Sequence, residues 1–321
     1  MAKTISPAYV PLHFYSKAID GQGIFYRIED MLVFYTMLSC IVREKQMEVI
    51  SFCLMFNHFH LMIKVKNGKN DIKTLSEFER QFTRTYNAEY ERSGRMFMPP
   101  SGWAVKDTLK KARSCIIYVC NNPVAGALCK SVLAYRWNLL AYKNNAFPYS
   151  DPIRKSSCSL NCRKAVDIIR HQASERLPMN YRLLDTVFNK LSEKERNSIT
   201  DYIVSCYNFL SYNSMEAYFK DWNGVISVIE STQSAEYDLP EDYEDYSMYR
   251  RMFMIMKQLG YNVCCRTIEN LNSDDIRKIS SKIYEKTNAP RRQVLKFLHL
   301  TKHSATVKPE NAKNFWLNEH L

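Results

Sequence analysis

Glycine is scarce in this chain. There are 8 in 321 residues, and neither G-x-G-x-x-G nor G-x-x-x-x-G-K-[S/T] occurs, which excludes a Gly-rich cradle for nucleotide phosphates. Long apolar runs are missing too. The longest, MLVFYTMLSCIV at 31–42, is far below the ~20 residues a membrane helix needs, so no membrane partner is expected. The opening MAKTISPAYV has no apolar core of a signal peptide. Cysteine pairing is the third absence. The 10 cysteines are irregularly scattered, and Cys158 with Cys162 makes a lone C-x-x-x-C without a second pair. Neither a disulfide framework nor a zinc module is expected, and such usage points to a reducing, cytoplasmic setting.

What is abundant is apolar residues, at 46%, and positive charge, with a formal net charge of +12. The first supports a full core; the second suits a polyanion, nucleic acid first. The charge is uneven. Residues 1–150 hold 20 Lys and Arg against 11 Asp and Glu, whereas residues 151–321 hold 25 against 22. The polyanion is therefore expected on the first half.

Periodicity gives an element order. LHFYSKAI (12–19) alternates as a strand, and RIEDMLVFYTMLSCIVREK (27–45) has helical spacing. MEVISFCLM (47–55) and FHLMIKV (59–65) are β-rich runs joined as a hairpin. LSEFERQFTRTYNAEYERSG (75–94) is a helix closed by Gly94, GWAVKD (102–107) a short strand, and DTLKKARSCIIYVCNN (107–122) a helix capped by Asp107 and ended by Pro123. The order β-α-β-β-α-β-α predicts an α+β fold, a ferredoxin-like antiparallel sheet with covering helices. A Ser/Pro-rich stretch near 148–161 marks a boundary, and an all-α region follows. We expect a first domain over 1–148, a helical region with the acidic linker EYDLPEDYEDY over 149–246, and a helical C-terminal domain over 247–321. In the last, Ser273 is a natural N-cap and Pro290 opens the second helix of a pair.

Within FCLMFNHFHLMIKV (52–65), His58 and His60 stand two apart on a strand. They therefore share a face with Met62 and Lys64, while Phe59, Leu61 and Ile63 point to the other. Two imidazoles so placed can chelate one divalent ion, or can simply be hydrogen-bonded histidines. On the 107–122 helix, Tyr118 and Asn122 share a face at i and i+4, with Lys111 two turns earlier. An amide oxygen is a fair ligand for Mg²⁺ or Mn²⁺. A phenol is a workable nucleophile at phosphorus, although a helix tyrosine is ordinarily packing.

These segments resemble a known family. LMFNHFHLMIK is similar to the histidine–hydrophobe–histidine (HUH) signature of single-stranded-DNA transposases, usually a Met-Pro-Asn-His-x-His run. TYNAEYERSGRMF (85–97) resembles the helix and Gly-Arg-x-Phe turn that follow it. YVCNNPVAGAL (118–128) resembles the segment carrying the nucleophilic tyrosine, and YRWNLLAY (135–142) the family's Tyr-Pro-Trp-Ser-Ser-Tyr ending. The resemblance spans about residues 8–145 and is nearest to the REP-associated tyrosine transposases. Two departures stand out. Phe56 replaces the usual Pro, with an expected effect on the hairpin turn only, and MFMPPSGWAVKD lacks an Arg that the family carries.

The resemblance implies His58, His60 and Asn122 as ligands of Mg²⁺ or Mn²⁺ and Tyr118 as nucleophile. It implies a 5′-phosphotyrosine intermediate and a single-stranded or hairpin (REP-like) DNA substrate. Lys64, Lys66 and Lys111 are placed either to meet phosphate or to stand as solvated lysines, at a strand end for the first two and on a helix face for the third. In the C-terminal helix pair, Arg291, Arg292, Gln293 and Lys296 stand where a helix-turn-helix reads the major groove, and where a plain helical hairpin has a basic face. A non-cleaving DNA-binding regulator on the same fold, and a relaxase- or replication-type nickase, are the alternative functions. Both a monomer and a homodimer are compatible with the sequence.

Overall fold

The computed structural model describes residues 10–65, 68–154, 156–231 and 244–301. Four strands form one antiparallel sheet: β1 (Pro11–Lys17), β2 (Glu48–Leu54), β3 (His58–Lys64) and β4 (Gly102–Val105), in the order β2-β3-β1-β4. With α1 (Ile28–Glu44) between β1 and β2 and α2 (Gly68–Tyr90) between β3 and β4, this is the expected ferredoxin-like arrangement.

The inner strand β3 is buried on both faces, which is why it reads as an almost unbroken apolar run. Leu12 and Phe14 of β1 and Phe59 and Leu61 of β3 face α1 and α2. There Phe34 meets Phe59, Phe78 and Phe82 at ring-centroid distances of 4.9, 4.9 and 5.0 Å. Such pairs each add about 0.5–1.5 kcal/mol beyond simple burial. The opposite face carries His13, Tyr15 and Lys17 of β1 and His58, His60 and Met62 of β3. It lies under α3 (Leu109–Ala125), which packs on β2 and β3.

Helix boundaries differ in detail from the sequence expectation. Thr108, not Asp107, caps α3, accepting from Lys111 N at 3.2 Å, while Asp107 binds the Lys111 ammonium at 2.8 Å. Pro123 does not end α3. It removes one N–H in the last turn, and Gly126 N closes that turn on Asn122 O at 2.8 Å. Asn272, not Ser273, caps the helix at 273–287, through Asp275 N at 2.8 Å. The 75–94 helix starts earlier, at Gly68, and stops at Tyr90.

The rest is helical: α4 (Leu160–Ser174), α5 (Tyr181–Phe188), α6 (Glu193–Cys206), α7 (Tyr212–Glu216), α8 (Trp222–Ser231), α9 (Ser247–Gln258), α10 (Cys265–Glu269), α11 (Ser273–Thr287) and α12 (Arg291–Phe297). Side-chain bonds tie α1 to the end of α6: Tyr35 OH donates to Val204 O at 2.9 Å and Ser39 Oγ to Tyr207 O at 2.6 Å. Ser211 N donates to Val49 O at 2.8 Å, so this region also covers the β2 edge of the sheet. No described helix is long and apolar enough to cross a membrane.

Candidate metal and phosphate site

The face under α3 gathers the site residues named from the sequence. The β3 pleat places His58 and His60 side by side, their rings 5.0 Å apart. The 3.6-residue period of α3 lowers Tyr118 and Asn122 onto them from above. Tyr118 stands edge-on to His60 with centroids 5.1 Å apart, and Asn122 Oδ1 lies 3.1 Å from His58 Nε2.

The tautomer of His58 follows from its neighbour. Asn57, fully buried, donates its Nδ2 to Gly21 O at 2.6 Å, so its Oδ1 must face His58 Nδ1 at 2.8 Å. An amide oxygen only accepts, so Nδ1 carries the proton. His58 Nε2 then presents a lone pair toward Asn122 Oδ1. Two acceptors converging in this way suit a shared cation, and imidazole plus amide oxygen is a donor set that divalent ions take. His60 has a comparable support: its Nδ1 lies 3.1 Å from Nε2 of His13, a residue only 1% exposed. A hydrogen bond on the second ring nitrogen orients metal-ligating histidines generally.

Electrostatics keep these rings neutral. Burial, then the positive charge of Lys17, pushes His58 down to about 4. Burial, then Lys106, pushes His13 down to about 3. His60 is driven well below the ordinary imidazole range by burial, with His58, His13 and Lys17 adding to it. Neutral imidazoles have lone pairs to give. Lys17 pairs directly with His58 across the sheet and is exposed, so the rim of the site is cationic.

The outer cations fall elsewhere. Lys64 sits at the far end of β3, 3.5 Å from Glu48, and Lys111 is held by Asp107 on the exposed start of α3. Lys66 lies outside the described residues. The recognition-helix reading of α12 is corrected. Gln293 and Lys296 are 6% and 3% exposed; Gln293 Nε2 donates to Asp245 O at 3.1 Å and Lys296 is ion-paired with Glu244. They anchor the helix inward and cannot reach a groove; only Arg291 and Arg292 are exposed.

Sequence reading missed His13, Asn57, Lys17 and Tyr246. For the first three a signal existed: His13 and Lys17 occupy the same alternation parity of LHFYSK, and Asn57 is adjacent to His58. Cys265, Glu269 and His299 also cluster closely enough for an ion. There the Arg92 guanidinium donates to Glu269 Oε1 at 2.9 Å. That cation opposes a second one, and the group is a buried ion-pair network.

Residues 24–107 match the family model of IS200-like transposases. The match covers about a quarter of the chain and includes both β3 histidines. A solved REP-associated tyrosine transposase bound to a REP hairpin is also similar, with 15% identity and a TM-score of 0.37, over 42% of this chain and 79% of that one. No curated protein matches. The IS200-like segment ends just before α3, so Tyr118 and Asn122 lie beyond it.

Proposed function

We propose that the first domain is a metal-dependent DNA strand transferase or endonuclease of the tyrosine-transposase kind, acting on single-stranded or hairpin DNA. The observation that carries this reading is the convergence of Tyr118 and Asn122 from α3 on the two histidines of β3, inside a fold whose sheet region matches the IS200-like family. His58 through Nε2, His60 and Asn122 through Oδ1 would hold Mg²⁺ or Mn²⁺. When bound, the ion supplies charge stabilisation at a scissile phosphate.

The residues do the rest. Tyr118 attacks phosphorus through its phenol oxygen. The bond from phosphorus to the 3′ oxygen breaks, and a 5′-phosphotyrosine and a free 3′-hydroxyl result, with the phenolic proton balanced by the proton taken up at the leaving oxygen. Attack by a 3′-hydroxyl reverses the step without ATP, because the phosphotyrosine conserves the bond. Lys17 adds positive charge at the rim, where the DNA backbone approaches.

A further groove of 630 Å³ beside the β4 edge is lined by Arg80, Arg84, Arg95 and Trp103, with Trp103 53% exposed. Guanidinium groups beside an exposed aromatic ring suit a single strand, which is held by backbone charge and base stacking.

The test is a cleavage assay on single-stranded hairpin DNA from the flanks of the gene, with Mn²⁺ or Mg²⁺ and with chelator. We expect a covalent protein–DNA adduct on a denaturing gel that requires metal and is absent in Tyr118→Phe. Tight binding without an adduct under any metal would replace this reading with the non-cleaving regulator.

A further inference from the structure

The C-terminal helices reach into the site at one residue. Tyr246, just before α9 and 6% exposed, lies beneath His58 with ring centroids 5.7 Å apart. Its hydroxyl is 3.1 Å from Asn57 Oδ1 and 3.3 Å from His58 Nδ1. Because Asn57 Oδ1 can only accept, the phenol donates to the same oxygen that receives the His58 proton. One amide oxygen thus joins a tyrosine of the C-terminal unit to an imidazole of the sheet.

Tyr246 is held there from several sides. Its backbone N donates to Gly126 O at 3.0 Å, at the end of the helix that carries Tyr118 and Asn122. Gly126 leaves room for it: a Cβ there would stand 2.8 Å from Tyr246 Cδ2. The preceding residues are pinned by α12, through the ion pair of Glu244 with Lys296 and the bond of Gln293 to Asp245 O. The following turn carries Tyr249, which stacks on Phe56 at 4.9 Å.

We propose that Tyr246 is a positioning residue for the metal site. By donating to Asn57 Oδ1 it braces the acceptor and ring that seat His58 with Nε2 aimed at Asn122, so that metal binding in the first domain depends on docking of the C-terminal helices. This rests on the metal-site reading above. The sequence segment concerned lies far outside the IS200-like match, so the dependence belongs to this chain's own extension.

The test uses the full chain and Mn²⁺ alone, with affinity read by calorimetry or electron paramagnetic resonance. It compares wild type, His60→Ala, Tyr246→Phe and Phe56→Leu, and ¹⁵N-imidazole NMR reports the His58 tautomer. Tyr246→Phe removes one oxygen, and Phe56→Leu loosens the docking while leaving every polar group of the site in place. Loss of an outer partner of a metal-bound histidine costs about 10–100-fold in affinity. We expect Tyr246→Phe to weaken Mn²⁺ binding by about tenfold, with the Nδ1-protonated His58 tautomer kept by Asn57 and a near-native melting profile, and Phe56→Leu to act in the same direction. Wild-type-like affinity in both variants, while His60→Ala loses binding, would overturn the role of Tyr246 alone. Failure of the wild type to bind, or unchanged binding in His60→Ala, would instead remove the metal-site reading and this inference with it.

Discussion

Replacing Asp201 with Ala is expected to be among the most damaging single changes outside the sheet. Asp201, on α6, is fully buried, and its carboxylate takes four hydrogen bonds. Arg136 Nε at 2.9 Å and Tyr142 OH at 2.5 Å bind Oδ1, while Tyr149 N at 3.0 Å and Ser150 Oγ at 2.7 Å bind Oδ2. All four donors lie on the segment that leaves α3, so this one side chain fastens the helical region to the first domain. Without it, a mostly buried guanidinium stacked on Tyr149 at 5.1 Å, a buried phenol and a backbone N–H lose their acceptor together. Removing one partner of a buried ion pair costs about 3–5 kcal/mol. Asp201→Asn keeps the shape and one acceptor oxygen, and should cost about half as much. Urea unfolding followed by tryptophan fluorescence and by circular dichroism measures both, and the neighbouring buried Trp137 reports locally. An Ala variant within ~1 kcal/mol of wild type, at unchanged denaturant slope, would refute the reasoning.

Two further outcomes follow from other sites. His13→Phe keeps the buried ring but removes the nitrogen facing His60; Mn²⁺ affinity should fall about tenfold, and an unchanged titration would mean that His60 needs no such support. Asp30 is held up at about 6 by burial, against the opposing bonds from Tyr90, Arg27 N and Tyr181 and the charge of Arg27. The folded chain therefore binds this proton more tightly than the unfolded one. Its contribution is fully present below the ordinary carboxyl range and is lost as pH rises through about 6, a swing of about 3 kcal/mol. The stability of wild type minus that of Asp30→Asn should decline from about pH 3 to about pH 7 by roughly that amount, and a flat difference would show that Asp30 titrates normally.

The fold of the first domain was legible because period-2 and period-3.6 patterns alternate cleanly, and short loops leave few ways to join them. The site was legible where both partners sit on regular elements: His58 and His60 on one strand face, Tyr118 and Asn122 on one helix face. What stayed hidden depends on distant packing. His13 became meaningful only when β1 was seen to pair with β3, placing it beside His60. Gln293 and Lys296 read as an exposed basic patch because composition cannot distinguish a solvated lysine from one buried against Glu244. Tyr246 follows an acidic stretch, and no local pattern connects it to a strand nearly 190 residues earlier.

Phe56 shows how a departure from a family pattern carries structural meaning. Read alone, a phenylalanine in place of a turn proline concerns only the hairpin. In the structure its ring stacks on Tyr249 at 4.9 Å, meets Tyr26 edge-on at 5.2 Å and lies 6.4 Å from Phe297. Gly23 makes way for it, since a Cβ there would stand 2.3 Å from Phe56 Cζ. A proline would offer the C-terminal helices no such platform; Phe56 serves the docking of α9 and α12. Phe56→Ala should therefore act selectively. The ring is only half-buried, so the cost falls below the 3–5 kcal/mol of a full core truncation, at about 2–3 kcal/mol. Its effect should concentrate in the docked unit. Hydrogen exchange in α9, α11 and α12 should quicken, while amides of β1 and β3, held in the sheet ladder, keep their protection. Equal loss of protection in sheet and C-terminal helices would mean that the turn, not the docking, is what Phe56 supports.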